Sequence, residues 1–317
     1  MASSDAQRRH YQAPRTMSHV TSMVNEPFPS PNALSAATKS HVQGRFRIST
    51  RKLPISKSGP IDDLTERIGI PMPEMIFGDN LVSVEHIPTG WSVAFSTPDA
   101  LDAVDKTEKK MLRVAYARDW ESTREDQTQK IKEAVKPYDW SYSTEYKGTV
   151  TNSKSKGKSE GEGEGEGAAN GVGRTPVLAP TKEVIPIELL KRRDPILFFD
   201  EVVLYESELD DNGISIYSAK LRVHERRMLL LCRLFMRLDN VLVRIRDTRI
   251  YVDFETDLVI RDYTAKEASF DEVKRRLLMT GRLPDDITIS LRDPNVLDQF
   301  LKVVEHETEA VHLKDYS

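Results

Sequence analysis

Between positions 198 and 263 the chain is a succession of strand-like runs separated by turn signals, and few architectures accept such a sequence. Residues 198–205 (FFDEVVLY) are rich in β-branched and aromatic side chains. Asp210-Asp211-Asn212-Gly213 is a strong turn signal, and 214–223 (ISIYSAKLRV) alternates in hydrophobicity, so the three together predict a hairpin. Residues 228–238 (MLLLCRLFMRL) suit helix or strand by composition. The Asp239-Asn240 turn and the alternating 241–246 that follow favour strand, and 250–254 and 258–263 come at hairpin spacing. Earlier, 81–86 and 91–95 predict a further hairpin around Pro88-Thr89-Gly90. Helices are expected at 62–68, 98–104, part of 119–135, 270–279 and 294–307. For the second of these, Thr97 reads as N-cap, Pro98 as first helical residue and Asp99 as a carboxylate on the positive end of the dipole. The fold class expected is α+β, a mainly antiparallel β-sheet with peripheral helices, two sheets packed as a sandwich being one form of it.

Two segments cannot contribute to such a core. Residues 1–44 are rich in Ser, Pro, Gln, His and Arg without period, which predicts a disordered arm, because little apolar area is on offer to offset ordering entropy. Residues 152–174 (NSKSKGKSEGEGEGEGAANGVGR) hold seven of the fifteen glycines and one large aliphatic, Val172, and read as a disordered Gly/Glu-rich insertion. Neither flank looks self-sufficient, and a long surface insertion adds little closure entropy, so 45–317 is read as a single domain. A segment at 140–146 (WSYSTEY) looks strand-like.

The chemistry of enzymes is not visible. There is no GxxxxGK[ST], no GxGxxG after a strand, no HExxH and no GxSxG. Glu208-x-Asp210-x-Asn212-Gly213 begins like a calcium loop, but the twelfth position is Ala219. The single cysteine, Cys232, excludes an intrachain disulfide and a thiolate-cluster zinc site, and within its apolar run it reads as an inert buried thiol. No cofactor, metal or catalytic residue is expected. Forty-six Lys plus Arg against fifty Asp plus Glu argue against nucleic acid as a partner, and no apolar run approaches the ~20 residues that span a bilayer. The expectation is a soluble protein of the cytoplasm.

Three strings carry a resemblance. They are 72–80 (MPEMIFGDN), 136–149 (KPYDWSYSTEYKGT), and 198–213 (FFDEVVLYESELDDNG) leading to Arg237-Leu-Asp-Asn-Val-Leu-Val-Arg244 and Asp247-Thr-Arg249. In this order they resemble the TIPRL, or TIP forty-one-like, family of TOR-pathway regulators, over roughly residues 60–265 apart from the insertion. The resemblance implies a non-enzymatic protein that binds the catalytic subunits of type 2A-class serine/threonine phosphatases and holds their C-terminal tail in a cleft. It also implies contact with the regulatory-subunit network and a nuclear as well as a cytoplasmic location. The alternative it leaves open is a general signalling scaffold or chaperone with phosphatases among its clients. Family positions linked to phosphatase binding fall on Asp99, Ile185, Ile245 and Asp247. An acid beside aliphatic residues suits an extended peptide, whose N–H groups need acceptors and whose side chains need apolar pockets. The four are therefore expected to converge, with Ile245 and Asp247 on one side of a strand.

Overall fold

The predicted succession of hairpins is realised as a continuous antiparallel sheet. The computed structural model describes residues 30–107, 114–115, 133–134, 137–152, 175–281 and 284–316. Among them the strands are β1 (Thr38–Gln43), β2 (Phe46–Arg51), β3 (Met75–Ile76), β4 (Leu81–His86), β5 (Trp91–Ser96), β6 (Val114–Ala115), β7 (Glu133–Ala134), β8 (Thr149–Asn152), β9 (Ala179–Pro180), β10 (Phe198–Ser207), β11 (Gly213–Val223), β12 (Arg227–Leu238), β13 (Leu242–Asp253), β14 (Leu258–Ser269) and β15 (Lys302–His312). The helices are α1 (Pro31–Ala37), α2 (Ser58–Ile68), α3 (Thr97–Asp102), α4 (Ile187–Leu190), α5 (Phe270–Met279), α6 (Pro284–Ser290) and α7 (Pro294–Leu297). One sheet has five strands in the order β1-β2-β4-β5-β8, and another has eight in the order β3-β10-β11-β12-β13-β14-β15-β9. The fold is thus α+β and mainly antiparallel sheet.

Alternation along the strands builds the core. Met228, Leu230, Cys232, Leu234, Met236 and Leu238 of β12 join Val82, Val84, Trp91, Val93 and Phe95 of the five-stranded sheet in one buried cluster. Period two therefore sends every second residue of the central strands toward the other sheet. The opposite face of the large sheet carries two smaller clusters. Phe235, Val243 and Ile245 pack beneath Phe270, Val273 and Leu277 of α5. Tyr251, Ile260 and Ala310 pack with Ile185 and Leu190. The Asp210–Gly213 turn has Leu209, Asp210 and Asp211 all at positive φ, and a Cβ on Gly213 would stand 1.9 Å from the Arg237 carbonyl oxygen, so only glycine fits.

Several expectations are corrected. The region 294–307 is not one helix: α7 and a short 3₁₀ turn end at Phe300, Leu301 turns extended, and β15 begins at Lys302. The spacing of Val296, Leu297, Phe300 and Leu301 mimics a helical period, but the paired valines and the ladder with β14 decide the outcome. The N-cap of α3 is Ser96, whose Oγ accepts from Asp99 N; Thr97 is already inside the helix, its hydroxyl turned to the Phe77 and Leu204 carbonyls. Residues 140–146 are mostly irregular, with a turn at 140–141 and a bridge between Val104 and Thr144. The last part of the 1–44 arm is folded: α1 precedes β1, which pairs with β2, while His41 stacks on Phe198 and Gln43 donates to the Glu225 carbonyl. Residues 1–29 lie outside the described residues, as do 153–174 of the insertion and all of the 119–135 helix except Glu133–Ala134. Among the described residues no helix is long and apolar enough to cross a membrane.

Candidate functional site

β13 presents different chemistry on its two faces. Its odd positions Val243, Ile245, Asp247, Arg249 and Tyr251 look outward, and its even positions Arg244, Arg246, Thr248 and Ile250 look toward the other sheet. At the end of the inner face the five-stranded sheet no longer covers it, and the 139–146 turn takes its place. There Arg244 donates from Nη1 to Ser143 Oγ at 3.0 Å and from Nε to Glu267 at 2.9 Å. Arg246, 12% exposed, lies 3.6 Å from Glu145. It forms one wall of a cavity of about 260 Å³ whose other walls are Ala103, Asp105, Thr107, Asp139, Ser143 and Glu145.

Local hydrogen bonds hold these walls. Asp105 Oδ1 accepts from the Thr107 N–H at 2.7 Å and its hydroxyl at 2.6 Å, which closes an Asx turn just after α3. Asp139 Oδ1 does the same for Ser141, accepting from N–H at 3.0 Å and Oγ at 2.5 Å. The Asp139 N–H donates to the Asp105 carbonyl at 2.8 Å and joins the two turns. Tyr142, at φ 53°, is clamped at both ends: its hydroxyl donates to the Pro71 carbonyl, and its own carbonyl accepts from the buried Tyr205 hydroxyl. Burial pushes the Asp139 carboxyl up, against the opposing pull of Ser141, Arg244 and Arg246. Burial also raises the Tyr205 phenol, and the charge of Asp139 adds to the effect.

The four residues expected to converge do not meet at one point. Asp99 lies on the cavity side, one helical turn before Ala103. Its Oδ2 accepts from Thr149 Oγ1 at 2.7 Å and from the Tyr146 hydroxyl at 3.3 Å, tying α3 to β8. Ile245 is 1% exposed beneath α5 on the outward face. Asp247 shares that face, as period two requires, but stands at no rim. Both of its oxygens are taken by Arg233, and Oδ2 also accepts from Arg249 at 2.9 Å. Arg249 continues to Asp262, and Asp262 to His306, in a polar row between the two outer apolar clusters. Ile185 is half-buried on the outward face with Tyr251 and Ile260. The strand itself divides the set, with Asp99 on one side and the other three on the opposite one.

Sequence reasoning passed over Arg246, Asp139, Ser143 and Glu145. Arg246 falls between two chosen positions, and the parity rule that placed those two together also sends it to the other face. The remaining three sit inside the quoted 136–149 string, where the strand-like reading hid a polar turn.

Comparison with known proteins bears on most of the chain. A family model described as the TIP41-like family matches residues 75–274. The human TIP41-like protein is 34% identical over 263 residues, covering 83% of this chain and 85% of its own length. The type 2A phosphatase activator TIP41 of Saccharomyces cerevisiae is 34% identical over 283 residues, covering 84% of this chain and 72% of its own. The type 2A phosphatase activator tip41 of Schizosaccharomyces pombe is 31% identical over 262 residues, with 83% and 93% covered.

Proposed function

The chain belongs to the TIP41-like family, and from that premise we propose that it is a non-enzymatic regulator of type 2A serine/threonine phosphatases. In this reading it binds the phosphatase catalytic subunit and holds that subunit's C-terminal tail at the cavity between the 103–107 turn, the 139–146 turn and β13. The observation that carries the reading is the 34% identity, over 84% of the chain, to a yeast protein named as a type 2A phosphatase activator. A role in TOR signalling and a cytoplasmic and nuclear location belong to the same proposal.

In this reading the four positions divide the work. Asp99 fixes the helix whose end forms a cavity wall. Asp247 and Ile245 flank Arg246 in sequence and grip β13 from behind, through Arg233 and through the α5 cluster. They act on the cavity by setting where β13 lies. Ile185 packs the 183–190 strap against Tyr251 and Ile260 on the outer face.

A pull-down of the isolated catalytic subunit, with and without its C-terminal tail, tests the proposal. Capture that depends on the tail supports it. Equal capture of the tailless subunit overturns the tail-holding part, and no capture of either form overturns the phosphatase reading in favour of a general scaffold.

A further inference from the structure

The cavity is lined by three carboxylates, one of which the described residues leave half used. Asp105, Asp139 and Glu145 line about 260 Å³ together with Arg246, and the Arg244 guanidinium bonds to Ser143 of the same wall. That volume is far above the roughly 10–15 Å³ that one water needs, so the end of a long side chain has room. Asp139 is 2% exposed, and Oδ1 is occupied by Ser141. Its Oδ2 accepts no hydrogen bond from any described residue, yet it is not among the sealed, unpartnered atoms, so it opens onto the cavity. No described base stands within ion-pair distance of Asp139: Arg244 is turned to Ser143 and Glu267, and Arg246 leans toward Glu145 at 3.6 Å. A buried carboxylate without a directly paired cation is costly, and burial raises this carboxyl despite the opposing pull of Arg244 and Arg246.

On the reading that the phosphatase docks at this cavity, we infer that the cavity takes a cationic side chain of the partner, a lysine ammonium or an arginine guanidinium carried on an extended segment, with Asp139 Oδ2 as its direct acceptor. The fit is chemical at each wall. Asp105 and Glu145 already engage Thr107 and Arg246, and they add acidic side chains to the wall around the guest. An anionic guest would meet three carboxylates. A neutral apolar guest would leave Oδ2 unpaired and stripped of water. The cation cancels the buried charge, and its hydrogens reach Asp139 Oδ2. Asp139 lies in the 136–149 string, whose aspartate no other feature of the fold requires to be charged, because the Ser141 turn needs only an acceptor oxygen.

Asp139→Asn is the discriminating variant, since its amide oxygen still accepts from Ser141 while the charge is gone. Binding of the full chain to the isolated phosphatase catalytic subunit is measured by calorimetry at two ionic strengths. Wild type should bind, Asp139→Asn should bind at least ~10-fold more weakly with a flatter salt dependence, and its melting temperature at pH 7 should not fall. Equal affinities of the two proteins overturn the inference while leaving the phosphatase reading intact. A loss of binding that comes with a lowered melting temperature assigns Asp139 to structure and overturns it as well. Failure of the wild type to bind removes the premise and the inference together. Acetylating the partner's lysines separates the two sources: a wild-type-to-variant ratio that collapses identifies lysine, and one that persists identifies arginine.

Discussion

Arg233 and Asp247 stand opposite each other in the β12–β13 register and form a two-pronged ion pair, Nε to Oδ1 at 2.7 Å and Nη2 to Oδ2 at 2.8 Å. Parallel forks of this kind are the strongest salt-bridge geometry. With Arg249 on the same carboxylate, Asp247 is a structural hub rather than a free acceptor. Asp247→Asn should therefore destabilise the protein by about 2–4 kcal/mol, because a buried charged bond is lost while both arginines stay in place. Urea unfolding of the variant measures this; a midpoint equal to wild type would mean the pair contributes nothing net.

Leu230 and Leu231 are neighbours on β12 with opposite fates. Leu230 is fully buried between the sheets, and Leu231 is half-buried on the outward face. Leu230→Ala should cost about 2–5 kcal/mol, and Leu231→Ala nearer ~1 kcal/mol. The pair of unfolding curves tests the facing of the strand, and equal costs would contradict it.

Asn152 Nδ2 donates to the Pro176 carbonyl at 3.4 Å, so the chain enters and leaves the 153–174 insertion at the same place. Replacing that segment by a few glycines should change stability by less than ~1 kcal/mol, since loop length enters only logarithmically. Phosphatase capture should be unchanged. A cooperative loss of thermal stability would show that the segment packs against the fold.

Burial raises the Asp139 carboxyl in the folded protein above its unfolded value near 3.9. The folded state then holds the proton more tightly than the unfolded one. Stability linked to this group is present below the unfolded value and is lost as pH rises through the folded value. At pH 7 Asp139→Asn should be as stable as wild type or more so, and the difference should shrink as both are acidified toward pH 4. Paired unfolding curves across that range check the sign. A variant that gains on wild type as pH falls would reverse the assignment.

Purified to homogeneity without a partner, the chain should hydrolyse neither phosphoesters nor nucleotides. Turnover that co-purifies with the protein and disappears with a single substitution in it would refute a purely regulatory role.

Much of the architecture was readable because it rests on period two. The alternation of 214–223 and 241–246, and the turn residues at 210–213 and 239–240, specify hairpins locally, and the structure needed only to close them. α5 was readable to the residue because Ser269, Asp271 and Glu272 start it and the Val273–Leu277 spacing faces it inward. β15 was not, since a strand paired along its length with β14 and only briefly with the two-residue β9 has weak alternation, and the apolar residues before it fall at helix-like intervals. The site was legible in part. Parity placed Ile245 and Asp247 together, but nothing in a linear reading says that the basic residues opposite Asp247 lie close enough to consume it. Asp139 was hidden for a different reason, as its role follows from a turn that holds one oxygen and leaves the other open.

Cys232 lies in the middle of β12, buried between the sheets, and burial pushes its thiol well above the ordinary range. Because it is the chain's one cysteine, alkylation can proceed only when the sandwich opens. The native sequence thus carries its own single-site reporter of opening. A labelling half-life, read with and without the phosphatase, would measure how far the partner slows that opening, without any engineered probe.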